Sequence, residues 1–193
     1  LVDSGGQYLY GTTDVTRTLS LDVKNQKIKE IYTRVLKGHI AVASFKLNKS
    51  SCGDKIDPMA RKFLKDINLD YPHGTGHGVG YFLNVHEGPQ AISRGNKIRF
   101  KEGMITSNEP GYYKKNHFGI RIENLVYVKK DRNKLKFEDL TLVPIDKTLI
   151  EEKLLTSFEK NWLNNYHQRV FSCLKGFMNK FELIELKQAC SNI

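Results

Sequence analysis

Residues 73–89 read HGTGHGVGYFLNVHEGP, and how this stretch is read decides how the rest of the chain is understood. It sets His73, His77 and His86 among Gly74, Gly76, Gly78, Gly80 and Gly88. Glycine costs about 1 kcal/mol per residue in a helix interior, so a helical His-x-x-x-His pair is a poor reading of His73 and His77. The zinc motif HExxH also needs a glutamate after its first histidine, and Gly74 stands there. In an irregular or extended segment the histidines can serve different purposes, with glycines letting the backbone approach a ligand. Taken alone, the stretch reads equally well as a glycine-rich turn with incidental histidines.

Working outward, Tyr71 to Val143 carries short β runs and glycines: GYFLNVHE, GMITSNEP, GIRIENLVYV and LTLVP. Upstream, Leu1 to Ser4 and Thr12 to Leu21 read as two strands joined by the turn GGQYLYG. Lys24 to Leu47 places Ile28, Ile31, Val35 and Val42 at helical spacing, which predicts an amphipathic helix. After the loop NKSSCGDK, Asp57 and Pro58 make an N-cap and first-turn pair for a second helix reaching about Ile67. Helical periodicity returns after Pro144, over Leu149 to Glu159, from Asn161 to about Met178, and in FELIELKQA. Trp162, Tyr166 and Phe171 lie in this tail as exposed-looking aromatics. The expected class is α+β, with residues 1–148 as one domain and 149–193 as a helical extension.

Composition bounds the function. The 193 residues suffice for one domain with a sizeable core, or a domain with an appendage. The net charge of +10 permits contact with nucleic acid, but its lysines are dispersed among acids, as in KKDRNKLKFED. No nucleic-acid partner is therefore expected. No run approaches the roughly 18 apolar residues of a membrane span, so no membrane partner is expected either. Cys52, Cys173 and Cys190 match no metal-ligand spacing and read as reduced thiols of a cytoplasmic protein. Asn48 to Ser50 matches a glycosylation sequon, against which the cysteine usage argues. The opening LVDSGGQY resembles the middle of a strand, as in a piece of a longer protein.

The carboxylates point to chemistry. Asp3 and Asp14 fall on what reads as two arms of one hairpin, and Glu109 and Glu123 flank the turn PGYYKKNHFG. Alternation also puts Asp14, Thr16 and Thr18 on one strand face, so something polar is expected against it. Four carboxylates converging on one place repel one another unless cations neutralise them or some take up protons. Four hard oxygen donors and an imidazole suit one or two divalent ions, and charge balance favours two.

LVDSGGQYLYGTTDVTRT, HGTGHGVGYFLNVHEGP, SNEPGYY and GIRIENL, in this order, resemble the catalytic domain of Xaa-Pro aminopeptidases, particularly the eukaryotic cytosolic type. Even WLNNYHQ in the tail is similar to that group's C-terminal extension. The resemblance implies the pita-bread metallopeptidase fold. It implies that Asp3 chelates one metal, Asp14 and Glu123 bridge two, and His77 and Glu109 bind the second. Glu109 would be the general acid-base, His73 and His86 substrate-side histidines, Arg121 a supporting or substrate-contact arginine, and Tyr113 a further substrate contact. Two divalent ions are implied, Mn²⁺ first, with Co²⁺, Zn²⁺ or Fe²⁺ also suited; they would share a water and lower its pKa.

The substrates would be peptides with an Xaa-Pro N-terminus, cleaved by a homodimer. The family's catalytic domain normally starts well before LVDSG and includes a further active-site histidine, so the 193 residues alone are expected to be poorly active. A prolidase limited to Xaa-Pro dipeptides, and a metal-free binding module on the same fold, are the alternatives.

Overall fold

The computed structural model describes residues 1–22, 25–82, 84–132 and 134–193. The chain divides into two compact units, Leu1–Thr18 with Arg34–Thr141, and Leu19–Thr33 with Leu142–Ile193.

The first unit opens with a hairpin, β1 (Val2–Tyr8) against β2 (Gly11–Arg17). Its ladder runs from Val2 opposite Arg17 to Tyr8 opposite Gly11, so Leu9 and Tyr10 alone form the connection. The seven-residue turn expected from GGQYLYG is thus wrong. The ladder continues through Gly5 and Gly6, because its pairing outweighs glycine's poor strand propensity. Asp3 faces Thr16 and Gly5 faces Asp14, which sets both aspartates on the same side of the ribbon. β2 stops at Arg17 rather than Leu21. Thr18 breaks away, its Oγ1 donating to the Arg121 carbonyl at 3.1 Å and accepting from the Arg121 N–H at 3.0 Å.

Helix α1 spans Gln26–Ala43, with Asn25 Oδ1 accepting from the Lys27 and Ile28 amides at its start. The expected span was longer at both ends. Lys24 lies outside the described residues, and Lys46–Leu47 is strand β3, not helix. Helix α2 spans Gly53–Lys65, with Cys52 as N-cap and Pro58 inside it. The expected start at Asp57 and Pro58 is therefore wrong. The Asp54 amide donates to the Asn96 carbonyl at 2.9 Å and Asp54 Oδ1 accepts from the Gly95 amide at 2.7 Å, so a distant loop caps the helix. Gly53 is obligatory there: a Cβ would sit 1.7 Å from the Ala91 carbonyl oxygen.

The remaining strands are β4 (Gly76–His77), β5 (Ala91–Ile92), β6 (Ile105–Asn108), β7 (Gly111–Lys114), β8 (Phe118–Arg121), β9 (Asn124–Asp131) and β10 (Lys134–Asp139). Among the described residues they form a four-stranded antiparallel sheet in the order β3-β10-β9-β6 and two-stranded ribbons β4-β5 and β7-β8. Strand β10 falls in the lysine-rich stretch read as solvated surface. Lys129, Asp131, Lys134 and Lys136 are indeed exposed, and surface charges pair across the ladder, Lys129 with Glu138 and Lys136 with Asp131. The runs GYFLNVHE and LTLVP form no strand among their described residues, and Leu83 in the former lies outside them. The core packs Val42, Ile56 and Ala60 of the helices against Leu47, Ile92, Val126, Val128 and Phe137 of the strands, with Phe100.

In the second unit, α3 (Ser157–Leu174) starts on a capping box between Thr156 and Glu159, and α4 (Lys180–Ala189) on one between Asn179 and Glu182. The helix expected over Leu149 to Glu159 is only a short 3-10 turn, Glu152–Leu154, because the Thr156 cap restarts the backbone. The tail aromatics are not exposed as expected. Tyr166 is buried, with its hydroxyl donating to the Val143 carbonyl at 2.8 Å, and Trp162 stacks on it at 5.5 Å between centroids. Phe177 and Phe181, each 83% exposed, hold the surface positions instead. Cys52 and Cys190 are buried and Cys173 is exposed, all as free thiols. No helix among the described residues is long and apolar enough to cross a membrane.

Candidate metal and peptide site

The β6-β9 ladder ends with Asn108 opposite Asn124, and the β7-β8 ladder starts with Gly111 opposite Arg121. Glu109 and Glu123 occupy the interruption between these ladders, where neither is held by strand pairing. Glu109 instead donates its amide to the Thr75 carbonyl at 2.8 Å, and Glu123 its amide to the Thr16 carbonyl at 3.1 Å. The first bond ties Glu109 to the histidine loop, and the second ties Glu123 to the aspartate hairpin.

The polar face of β2 has its polar counterpart. Thr16 Oγ1 donates to Glu123 Oε2 at 2.6 Å and accepts from Arg121 Nε at 2.9 Å. Arg121 also reaches Asp3 Oδ2 and donates to the Tyr113 hydroxyl at 2.9 Å. Arg17, which the sequence did not single out, is buried and donates to the Glu123 carbonyl at 2.6 Å and to Asn124 Oδ1 at 2.7 Å.

His77 is held from both sides of its backbone. Its amide donates to Ser107 Oγ at 2.9 Å, and its carbonyl accepts from Thr106 Oγ1 at 2.7 Å. Ser107 in turn donates to Glu109 Oε1 at 2.9 Å. Gly76 is required here, since a Cβ would lie 2.0 Å from the Ser107 carbonyl oxygen. Ser107 was likewise missed, because a lone serine in a strand carries no signal in sequence.

The His77 ring carries the test of metal fit. Its Nδ1 lies 3.0 Å from the Gly78 carbonyl, which only accepts, so Nδ1 bears the hydrogen. The Nε2 lone pair then faces Asp14 Oδ2 at 3.4 Å and Glu109 Oε1 at 3.3 Å. Three electron-pair donors facing one another require a proton or a cation between them. Without a cation the proton is drawn in: burial alone would lower the His77 pKa, but Asp14, the Gly78 carbonyl and Glu109 raise it. Burial and the neighbouring Glu109 charge push the Glu123 carboxyl up to about 7, and burial pushes Glu109 up as well. Donor atoms fall into three overlapping sets, each within 4.8 Å: Asp3, Asp14 and Glu123; His77, Glu109 and Glu123; Asp14, His77 and His86. Asp14, Glu123 and His77 are each shared between sets. The donor set fits two neighbouring divalent ions of the oxygen- and nitrogen-preferring kind.

These residues, with His73, line one cavity of about 320 Å³. His73 Nδ1 lies 2.7 Å from the Gly74 carbonyl and so carries the hydrogen, leaving Nε2 to accept from the Tyr113 hydroxyl at 2.8 Å. Burial lowers the His73 pKa, in keeping with a neutral ring. His86 is exposed, its ring centroid 3.9 Å from that of His77, so it can reach the donor cluster as well as the cavity.

Residues 1–130 match metallopeptidase family M24, and residues 133–193 match the C-terminal region of peptidase M24. The chain belongs to metallopeptidase family M24. Its M24 relatives include a probable Xaa-Pro aminopeptidase P of Sclerotinia sclerotiorum, 48% identical over 95% of this chain and 32% of the relative. An X-prolyl aminopeptidase from Caenorhabditis elegans, a cytosolic enzyme with a di-nuclear active site, superimposes with a TM-score of 0.91 at 41% identity, covering 99% of this chain and 33% of that one. A prolidase from Pyrococcus furiosus follows at a TM-score of 0.64 and 30% identity, over 72% of this chain and 40% of that one. This M24 chain thus has the pita-bread α+β fold and spans about a third of the length of the curated relatives it matches.

Proposed function

We propose that this chain carries the catalytic centre of an Xaa-Pro aminopeptidase, with residues 149–193 as an accessory extension. The observation that carries the reading is the His77 Nε2 lone pair facing Asp14 and Glu109, within a cavity that gathers four carboxylates. Asp3, Asp14 and Glu123 would hold one ion and His77, Glu109, Asp14 and Glu123 the other. When bound, the ions supply Lewis-acid activation of a water and of the scissile carbonyl.

The chain's own residues do the rest. Glu109, partly buried and raised in proton affinity, takes the proton of the attacking water and delivers it to the leaving proline nitrogen. His86, exposed at the cavity rim, donates a hydrogen bond to the carbonyl oxygen as negative charge develops there. His73 and Tyr113 form the wall that receives the proline side, with Arg121 holding the Tyr113 hydroxyl. A proline amide has no N–H, so a site that makes no use of that hydrogen accepts proline in the second position. The free amino group of the substrate would sit beside the acidic ligands, which limits removal to one residue.

Mn²⁺ is the proposed ion, the cytoplasm the proposed compartment and a homodimer the proposed assembly; exposed Phe177, Phe181 and Ile184 support the last. Hydrolysis of Xaa-Pro dipeptides and Xaa-Pro-Xaa tripeptides by the intact, Mn²⁺-loaded protein tests the reading. Release of Xaa from the tripeptide supports it; cleavage of dipeptides alone indicates a prolidase, and no cleavage of either indicates a binding module.

A further inference from the structure

Helix α2 and the histidine loop share a closed ring of hydrogen bonds. Arg61 Nε donates to Asp57 Oδ2 at 2.8 Å, and Asp57 Oδ1 accepts from Thr75 Oγ1 at 2.6 Å. With its own hydrogen given to Asp57, Thr75 Oγ1 accepts from the Tyr71 hydroxyl at 2.6 Å. The ring closes where the Arg61 guanidinium lies 4.0 Å over the Tyr71 ring and donates to the Tyr71 carbonyl at 2.8 Å. Asp57 is 3% exposed and Thr75 fully buried, so the bonds of the Thr75 hydroxyl to Asp57 and Tyr71 are shielded from water.

Two bonds lead from this ring into the site. Arg61 Nη2 donates to the His73 carbonyl at 2.5 Å. The Thr75 carbonyl accepts the Glu109 amide at 2.8 Å. Arg61 therefore fixes the backbone that carries the proline-side histidine, and Thr75 fixes the backbone of the proton-transfer glutamate.

We infer that Arg61 and Thr75 are positioning residues, Arg61 acting on substrate binding through His73 and Thr75 acting on the chemical step through Glu109. This rests on the peptidase reading above. The side chains of the four ring residues bond to one another and to no metal donor atom, so a variant here removes no donor, and metal content measured beside the kinetics separates a shifted Glu109 from a lost ion. Lysine at position 61 retains the charge beside Asp57 but lacks the planar fork that reaches Asp57, Tyr71 and His73 together. Valine at position 75 retains the shape and removes the hydroxyl, and serine restores it.

The test uses the intact, metal-loaded protein with an Xaa-Pro-Xaa tripeptide. Arg61→Lys is expected to raise KM about tenfold with kcat within about twofold of wild type, since small displacements of a positioning group carry effects of this size or larger. Thr75→Val is expected to lower kcat about tenfold at near-constant KM, with Thr75→Ser at wild-type values. Wild-type kcat and KM in both folded variants overturn the inference, as does an equal fall in kcat for Thr75→Val and Thr75→Ser. If either variant is unfolded, Tyr71→Phe decides through loss of the Tyr71–Thr75 bond: a several-fold fall in kcat supports the inference, and an unchanged kcat overturns it. A wild-type protein that cleaves no peptide removes the peptidase reading instead. The His73 ¹⁵N resonances then judge positioning alone: they shift in Arg61→Lys if Arg61 holds the loop, and stay put if it does not.

Discussion

His77 turns its Nε2 toward Glu109 Oε1 at 3.3 Å because its Nδ1 hydrogen is held by the Gly78 carbonyl. The ring is thereby fixed in the tautomer that a metal ion uses, with a lone pair aimed among carboxylates. That relation ties the histidine loop to the break between the β6-β9 and β7-β8 ladders and sets the behaviour of the protein with and without ions.

Stability should respond to ions directly. An ion bound only by the folded state adds about 2.7 kcal/mol at a hundredfold excess over its Kd. Thermal melting of the intact protein with Mn²⁺ or Co²⁺ is expected to move upward by several degrees, and in Asp14→Asn to move far less.

Glu123 should make the metal-free protein sensitive to alkali. Its folded pKa of about 7 lies above the ordinary 4.5, so the folded state holds this proton more tightly. The stabilisation is complete below pH 4.5 and is lost as pH rises through 7. Glu123→Gln is expected to be more stable than wild type at pH 8 by about 3 kcal/mol, from roughly 1.4 kcal/mol per pKa unit. Urea midpoints of the metal-free proteins at pH 8 and pH 4.5 check this, and the gap should close at the lower pH.

His39 acts in the opposite direction. It is fully buried, its Nδ1 directed at the Asn108 and Ile122 carbonyls, and burial followed by the Arg17 charge lowers its pKa from 6.5 to about 3. Between those values the unfolded chain binds the extra proton, so stability falls as pH falls below 6.5. His39→Asn, which keeps a donor for the carbonyls, should lose about 1.4 kcal/mol less than wild type for each pH unit of acidification in that window.

Thr16→Val should damage the site without removing a metal donor. It leaves Arg121 Nε and Glu123 Oε2 without the hydroxyl that joins them, at a cost of about 1–3 kcal/mol for buried groups so deprived. Denaturant unfolding should show that loss, and metal titration should show weaker binding.

Alternation in TTDVTRT was enough to read a polar strand face with a polar partner, since period-two patterning survives in sequence. The hairpin placement of Asp3 and Asp14 was legible from two β runs joined through glycines, although the turn itself is shorter than GGQYLYG. Local signals misled where distant backbone took over: Asp57 and Pro58 read as a helix start, while Asn96 caps the real one at Gly53. Thr75, Ser107, Arg17 and Arg61 escaped notice because the bonds by which each reaches the site go to residues that sequence spacing does not bring together. The tail aromatics misled because a helical stripe does not say which face is covered, and Tyr166 is buried while Phe181 is not.

The metal content of the intact protein tests the central claim most directly. Elemental analysis after loading with Mn²⁺ and removal of excess should find two ions per chain, falling to one or none in Asp14→Asn. No bound ion in the wild type, or the same content in Asp14→Asn, would contradict the account.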